Sequence, residues 1–348
     1  MMQPKQSLNQ QQIQRHNPHR RKKGGILPLL FGALLLAATV ALFYNKQAII
    51  DQVTVWRFTP SSELVSLANR AGLNDEGKFY LYASRAEISS KAEFNAACGS
   101  LQNERTVVLG CYTGNDGQIY IYDVTDAQLD GVRETTAAHE MLHAAYDRLS
   151  NTEKDYVDGL LEAQEKAITD TRLLNLIAEY KKSEPNEIVN ELHSIFGTEV
   201  RSLSPELETY YKKYFANREE VVALKEKYEK VFTDLAAKQT ALVNELNSIA
   251  SEVNTRQKAY ELALSSLNAD IESFNQWAQS GAATKSQYNA KRAELEARIS
   301  GLDAERVAIN AEIDSYNAKK AELDKLNIQA ATLNQGIDSK LSEAPSAL

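Results

Sequence analysis

The spacing of apolar and polar positions divides the chain into three stretches. From Gly24 to Tyr44 no residue carries a charge, and the run includes Leu34, Leu35, Leu36, Ala37 and Ala38. About 20 apolar residues cross a bilayer core as a helix, so the pattern predicts a transmembrane helix over 24–44. Residues 45–75 read as a juxtamembrane segment and a short helix capped by Ser61 or Ser62. Strand-like runs follow at Lys78–Tyr82, Thr106–Leu109 and Gln118–Tyr122. The last two flank Cys111–Gly117, whose turn residues predict an antiparallel β-hairpin. From Arg133 the pattern is helical nearly to the end, with helix starts at Ser150-Asn151-Thr152-Glu153 and Pro185-Asn186-Glu187.

Beyond Pro205 the apolar steps alternate between three and four. One stripe runs from Leu224 through Tyr228, Leu235, Leu242, Leu246, Leu264 and Leu267 to Phe274, interrupted by Lys238 and Arg256. After a break at 279–284, a second runs from Tyr288 through Leu295, Ile299, Ile309, Ile313 and Leu333 to Leu341. Heptad spacing with charged flanks predicts a coiled coil. Two arms around one glycine-containing break predict an antiparallel helical hairpin over 205–341, about 80 Å long at 1.5 Å per residue. Consecutive steps of four ending at Leu246 and Leu264 predict local unwinding of the supercoil. The predicted fold class is α+β: one transmembrane helix, a small mixed domain over 45–204, then the hairpin. Residues 1–23 and 342–348 read as disordered tails.

Charge adds an orientation. Arg20, Arg21, Lys22 and Lys23 directly precede the apolar run, so the N-terminus is expected inside and the bulk of the chain on the extracellular or periplasmic side of the cell membrane. The rival reading is a cleaved signal peptide, whose apolar region runs only about 7 to 15 residues. The chain carries 39 basic and 47 acidic side chains, a formal charge of -8. Six of the basic residues stand in the first 24 positions with no acid among them, leaving 33 against 47 in the remainder. An acidic body argues against nucleic acid as a partner. The two cysteines, Cys98 and Cys111, exclude a four-cysteine metal site. In an outward-facing compartment a disulfide between them is the expectation, and two buried free thiols are the alternative.

Outside the tail, which holds His16 and His19, the body has three histidines: His139, His143 and His193. Residues 139–143 read His-Glu-Met-Leu-His. On a helix, positions i and i+4 share a face, so both imidazoles can reach one metal ion. Glu140 is then placed to take a proton from water at that ion. A catalytic zinc takes three protein ligands. The extension that supplies a third histidine is absent, since Tyr146 stands at its glycine and Leu149 at its histidine. The third ligand is therefore expected from the segment 185–199, which holds Glu187, Glu191, His193 and Glu199.

An H-E-x-x-H helix followed by a helix bearing a glutamate ligand resembles the gluzincins, the thermolysin-like superfamily of zinc metallopeptidases. In several gluzincin families that glutamate begins E-x-x-A, and Glu191-Leu192-His193-Ser194 is similar. The resemblance implies one zinc ion on His139, His143 and Glu191, and Glu140 as general base. Glu187 with Glu191 behind it, or His193, are the alternatives for the third ligand. His193 sits about 160° around the helix from Glu191, so those two cannot share an ion. Ile195 stands where such motifs often place an aspartate that supports a histidine.

The resemblance further implies a zincin-like domain and a membrane-anchored endopeptidase acting on peptide or protein substrates outside the membrane. The strand pair around 106–124 would lie beside the active-site helix and offer an edge to an extended peptide. The oxyanion-stabilising residue stays open among Tyr146, Tyr180, Tyr210 and Tyr211. The hairpin could carry a protein partner. The competing reading is a non-catalytic envelope adaptor that uses the hairpin beside a degenerate protease domain.

Overall fold

The structure, a computed structural model, describes residues 26–99, 108–114, 116–183 and 185–340. The expected tails 1–23 and 342–348, and Thr106 and Val107 of the expected strand, lie outside the described residues. Two compact units divide the chain, residues 1–50 and 51–348.

The first unit contains α1 (Ile26–Tyr44) and the opening of α2 (Lys46–Arg57). The apolar side chains of α1 from Leu30 to Tyr44 stand exposed, Phe43 at 77 %. Among the described residues no single helix is long and apolar enough to cross a membrane. One bent pair, Leu30–Tyr44 with Lys46–Arg57, meets the length and composition requirement together.

In the second unit α3 (Ser62–Arg70) starts as expected, with the Ser61 side chain accepting the Leu64 N–H at 3.1 Å. Next comes α4 (Asp75–Ala83), so the strand expected at Lys78–Tyr82 is the body of a helix. Asn74 accepts the Gly77 N–H at 3.0 Å, Asp75 and Glu76 lie at the positive helix end, and Leu81 is fully buried. Five aromatic-rich residues fit either period, and the cap upstream decides between them.

A small sheet follows, made of β1 (Glu87–Ser89), β2 (Gly110–Thr113) and β3 (Gln118–Tyr122), with α5 (Lys91–Cys98) between the first two. The strand order is β1–β3–β2, β1 parallel and β2 antiparallel to β3. The expected hairpin is present, and its first strand begins at Gly110, after Val108 and Leu109 of the expected run. Cys111–Thr113, expected in the turn, pair with Tyr120–Gln118. The turn is shorter because Thr113 Oγ1 accepts the Gln118 N–H at 3.3 Å and closes the ladder there. Cys98 and Cys111 form the expected disulfide, which ties the end of α5 to β2.

Five helices complete the mixed region: α6 (Val132–Asp147), α7 (Asn151–Glu165), α8 (Thr171–Ser183), α9 (Ile188–Thr198) and α10 (Pro205–Tyr211). Helix α7 begins in the expected Ser150–Glu153 capping box. Helix α6 runs through the centre of the main core, with Ala137, Ala138, Met141, Leu142 and Ala144 fully buried. Helix α9 packs directly on it. Gly197 faces Leu142 and the Tyr211 ring so closely that a Cβ there would overlap both. The absence of a side chain at 197 is what lets the two helices approach.

The last elements are α11 (Arg218–Gln279) and α12 (Lys285–Ile337), 62 and 53 residues long. They pair as the expected hairpin around 280–284, and Thr284 opens α12 with a capping box. Leu235, Leu242, Leu246, Leu267, Leu295, Ile309 and Leu333 are buried in the seam. Leu264, Ile299 and Ile313 are 37 %, 44 % and 38 % exposed. Two helices bury only one stripe of each other, so the seam is narrower than the full apolar pattern. Arg256, which interrupts that pattern, reaches across to Glu305 at 2.8 Å and to Glu312. The base of the hairpin joins the mixed region. Val221 and Val222 belong to the main core, and Tyr228, Leu235 and Leu333 pack with Phe94, Cys98, Cys111 and Val132 in a second one.

Candidate metal centre

His139 and His143 lie one turn apart on α6, and Glu191 lies on the first turn of α9. Their potential ligand atoms all fall within 4.8 Å of one another. The two Nε2 atoms are 3.1 Å apart. Glu191 Oε1 is 3.4 Å from His143 Nε2, and Oε2 is 3.8 Å from His139 Nε2. Donors held at about 2.0–2.2 Å around a tetrahedral ion stand roughly 3.3–3.6 Å apart, and the separations here, 3.1 to 3.8 Å, bracket that spacing. Glu191 Oε2 is buried and has no hydrogen-bond partner, as expected of an atom reserved for a cation. The His/His/carboxylate set can therefore hold a metal ion.

The other candidates are placed elsewhere. Glu187 is exposed at the N-cap of α9 and stands at the rim of the same cleft, outside the ligand group. His193 is fully buried on the opposite side of α9, with Nε2 2.9 Å from the Tyr210 hydroxyl. Burial holds its imidazole down to about 3, so it is neutral. Tyr146 donates to Asp158 at 2.9 Å, Tyr211 donates to the His193 carbonyl at 2.7 Å, and Tyr210 packs with His193 and Tyr214. Of the four tyrosines singled out in the sequence, only Tyr180 lines the cleft. Ile195 is buried in the main core.

Support for the ligands comes from Asn190, one residue before Glu191. Its Oδ1 lies 3.0 Å from His143 Nδ1. Asn190 accepting from Nδ1–H fixes the tautomer that turns the Nε2 lone pair toward the group. Adjacency to Glu191 was the only signal of this role in the sequence.

Glu140 is 7 % exposed beside the group, and Gly110 of the edge strand β2 lies against it. A Cβ at 110 would stand 2.7 Å from both Cγ and Oε1 of Glu140, so the missing side chain makes room for this carboxyl. The Tyr112 backbone N–H of the same strand favours its charged form. Burial pushes the Glu140 carboxyl up to about 7, with the Glu191 charge adding to the rise and His143 and the Tyr112 N–H opposing it. For Glu191 burial also pushes upward, but His143 and His139 outweigh it and hold the carboxyl below its ordinary value.

These groups open on a cleft of about 600 Å³. One wall is the β2 edge, as expected for the strand pair. Another is made by Arg172, Leu176 and Tyr180 of α8, and a third by Lys225 and Tyr228 of α11. No local pattern links the hairpin residues to the histidine motif, and they enter the site only through the packing of α11. In comparisons with known proteins, no family model, curated protein or solved structure matches the chain.

Proposed function

We propose that this protein is a zinc-dependent endopeptidase, anchored in a membrane by its N-terminal segment and acting on peptide or protein substrates outside it. The observation that carries the reading is the convergence of His139, His143 and Glu191, with potential ligand atoms within 4.8 Å of one another and the Glu140 carboxyl beside them. Zinc bound there would supply Lewis-acid polarisation of a carbonyl and lower the pKa of water. Glu140 takes the proton of the attacking water and returns it to the leaving amine, a transfer its buried position beside the group favours. The β2 edge lies along the cleft and can align an extended peptide by main-chain hydrogen bonds. Among the cleft tyrosines Tyr112, Tyr180 and Tyr228, Tyr180 is the candidate to stabilise the oxyanion. The membrane part rests on the uncharged run of α1 behind the Arg20–Lys23 cluster, and the outer location is supported by the Cys98–Cys111 disulfide.

The test is metal content and cleavage of a denatured casein by the full chain in detergent. Wild type should hold one zinc ion, and His139→Ala should lose it. Glu140→Gln should keep the ion and lose cleavage by at least 10²–10⁴-fold, the typical worth of general base catalysis. Metal-loaded wild type without cleavage would favour the adaptor reading, and wild type without metal would end the metallopeptidase reading.

A further inference from the structure

Helix α9 carries both Glu191 and Asn190, and its C-terminal end is gripped by the first turns of the hairpin helix α11. Arg218, 6 % exposed, donates to the carbonyls of Phe196 at 3.2 Å, Val200 at 2.6 Å and Arg201 at 2.9 Å. The first of these is a carbonyl of the last turn, which has no partner within the helix, and a cation there also suits the helix dipole. Two turns along α11, Lys225 is 9 % exposed. Its Nζ stands 3.2 Å from Oε2 of Glu199, the C-cap residue of α9, and 2.9 Å from Glu229. Arg172 of α8 closes the ring, 2.9 Å from Glu229 and 3.6 Å from Glu199. Glu199 and Lys225 line the same cleft as His139 and Glu191.

A buried cation and carboxylate separate only at a large desolvation penalty, so this pair fixes α9 against α11. The tolerance at the other end of α9 is small. Ligand distances in a working metal site lie within about 0.2 Å of ideal, so a shift of α9 by even half an ångström would take Glu191 out of range. We infer that Lys225 is a positioning residue of the metal centre: the base of the hairpin holds α9, and with it Glu191, at ligating distance. This inference rests on the metal-site reading above.

The experiment compares the full chain as wild type, Lys225→Met and Lys225→Arg. It measures zinc affinity by chelator competition, the visible absorption of the cobalt-substituted protein, and melting temperature. Loss of an outer contact of this kind weakens a metal site by about 10–100-fold. Lys225→Met should show that loss and an altered cobalt spectrum, and Lys225→Arg should restore both because it keeps the pair. A residue with a merely structural role would lower the melting temperature and leave the cobalt spectrum unchanged. Should Lys225→Met fail to fold, the isosteric Glu199→Gln should give the same weakened zinc and altered spectrum. Wild-type zinc affinity and spectrum in the folded variant would overturn the inference while leaving the metal centre standing. No zinc in wild type would overturn both.

Discussion

Asn190 Oδ1 lies 3.0 Å from His143 Nδ1, so the residue before the third potential ligand orients the second one. Both functions come from one turn of α9, and the imidazole is held by a neutral acceptor. Asn190→Ala should therefore weaken zinc binding about 10–100-fold, the usual effect of removing such a partner, with little change in melting temperature. Asn190→Asp keeps the acceptor and should retain most of the affinity. Chelator competition on the three proteins checks this, and equal affinity in all of them would remove Asn190 from the role.

Gly110 tests the placement of Glu140. An alanine there would put Cβ 2.7 Å from the Glu140 carboxylate and displace it. Gly110→Ala should keep zinc, because His139, His143 and Glu191 are not touched, and should lower cleavage by at least 10-fold. Undiminished turnover would show that the carboxyl moves aside without cost.

The Cys98–Cys111 disulfide closes a loop with a sequence separation of 13. In the chain-entropy model such a link contributes about 3 kcal/mol. Because Cys111 lies on β2, the strand whose Gly110 lies against Glu140, replacing both cysteines by serine should lower the melting temperature and cleavage together. Calorimetry with a parallel activity assay reads both, and cleavage that survives intact would separate the strand from the site.

Arg256 bridges the hairpin seam to Glu305 and Glu312. A charged residue at a seam position specifies register at some expense of stability. Arg256→Ala leaves Glu305 and Glu312, two turns apart on α12, without the cation that ties them to α11. Hydrogen exchange should rise around residues 256 and 305–312, while the base near Leu235 and Leu333 stays protected. Unchanged exchange in the arms would make the arginine dispensable.

Asp130 precedes Gly131, the N-cap of α6, and binds Lys227 of α11 at 2.6 Å and Arg70 of α3 at 2.7 Å. The Lys227 contact, and after it Arg70, holds the carboxyl below its ordinary value. A carboxyl with a depressed folded pKa binds fewer protons than in the unfolded chain. Its contribution is therefore full above about pH 4 and is lost as pH falls through the lowered folded value. Asp130→Asn should flatten the acid limb of the stability profile below pH 4 and be nearly pH-independent above it, as urea melts across that range would show.

What the sequence determined by itself is local. The i, i+4 spacing of His139 and His143 places both imidazoles on one helix face wherever that helix packs. The caps at Ser61 and Ser150 mark helix starts, because their bonds reach only three residues. The heptads after Pro205 and the break at 279–284 require two helices that cover each other. The tertiary structure decided what depends on partners distant in the chain. Lys78–Tyr82 form a helix because the Asn74 cap and the burial of Leu81 outweigh a short alternating pattern. The β2 register follows from pairing with β3, which composition leaves free by several residues. Glu191 is distinguished from Glu187 and His193 by the docking of α9 on α6 across Gly197. Gly110 and Asn190 join the site only when β2 and α9 close around α6, and Lys225 arrives from a helix 82 residues beyond His143 in the chain. Helical periodicity is written in neighbouring residues, whereas the donors of a metal centre meet only where separate elements pack.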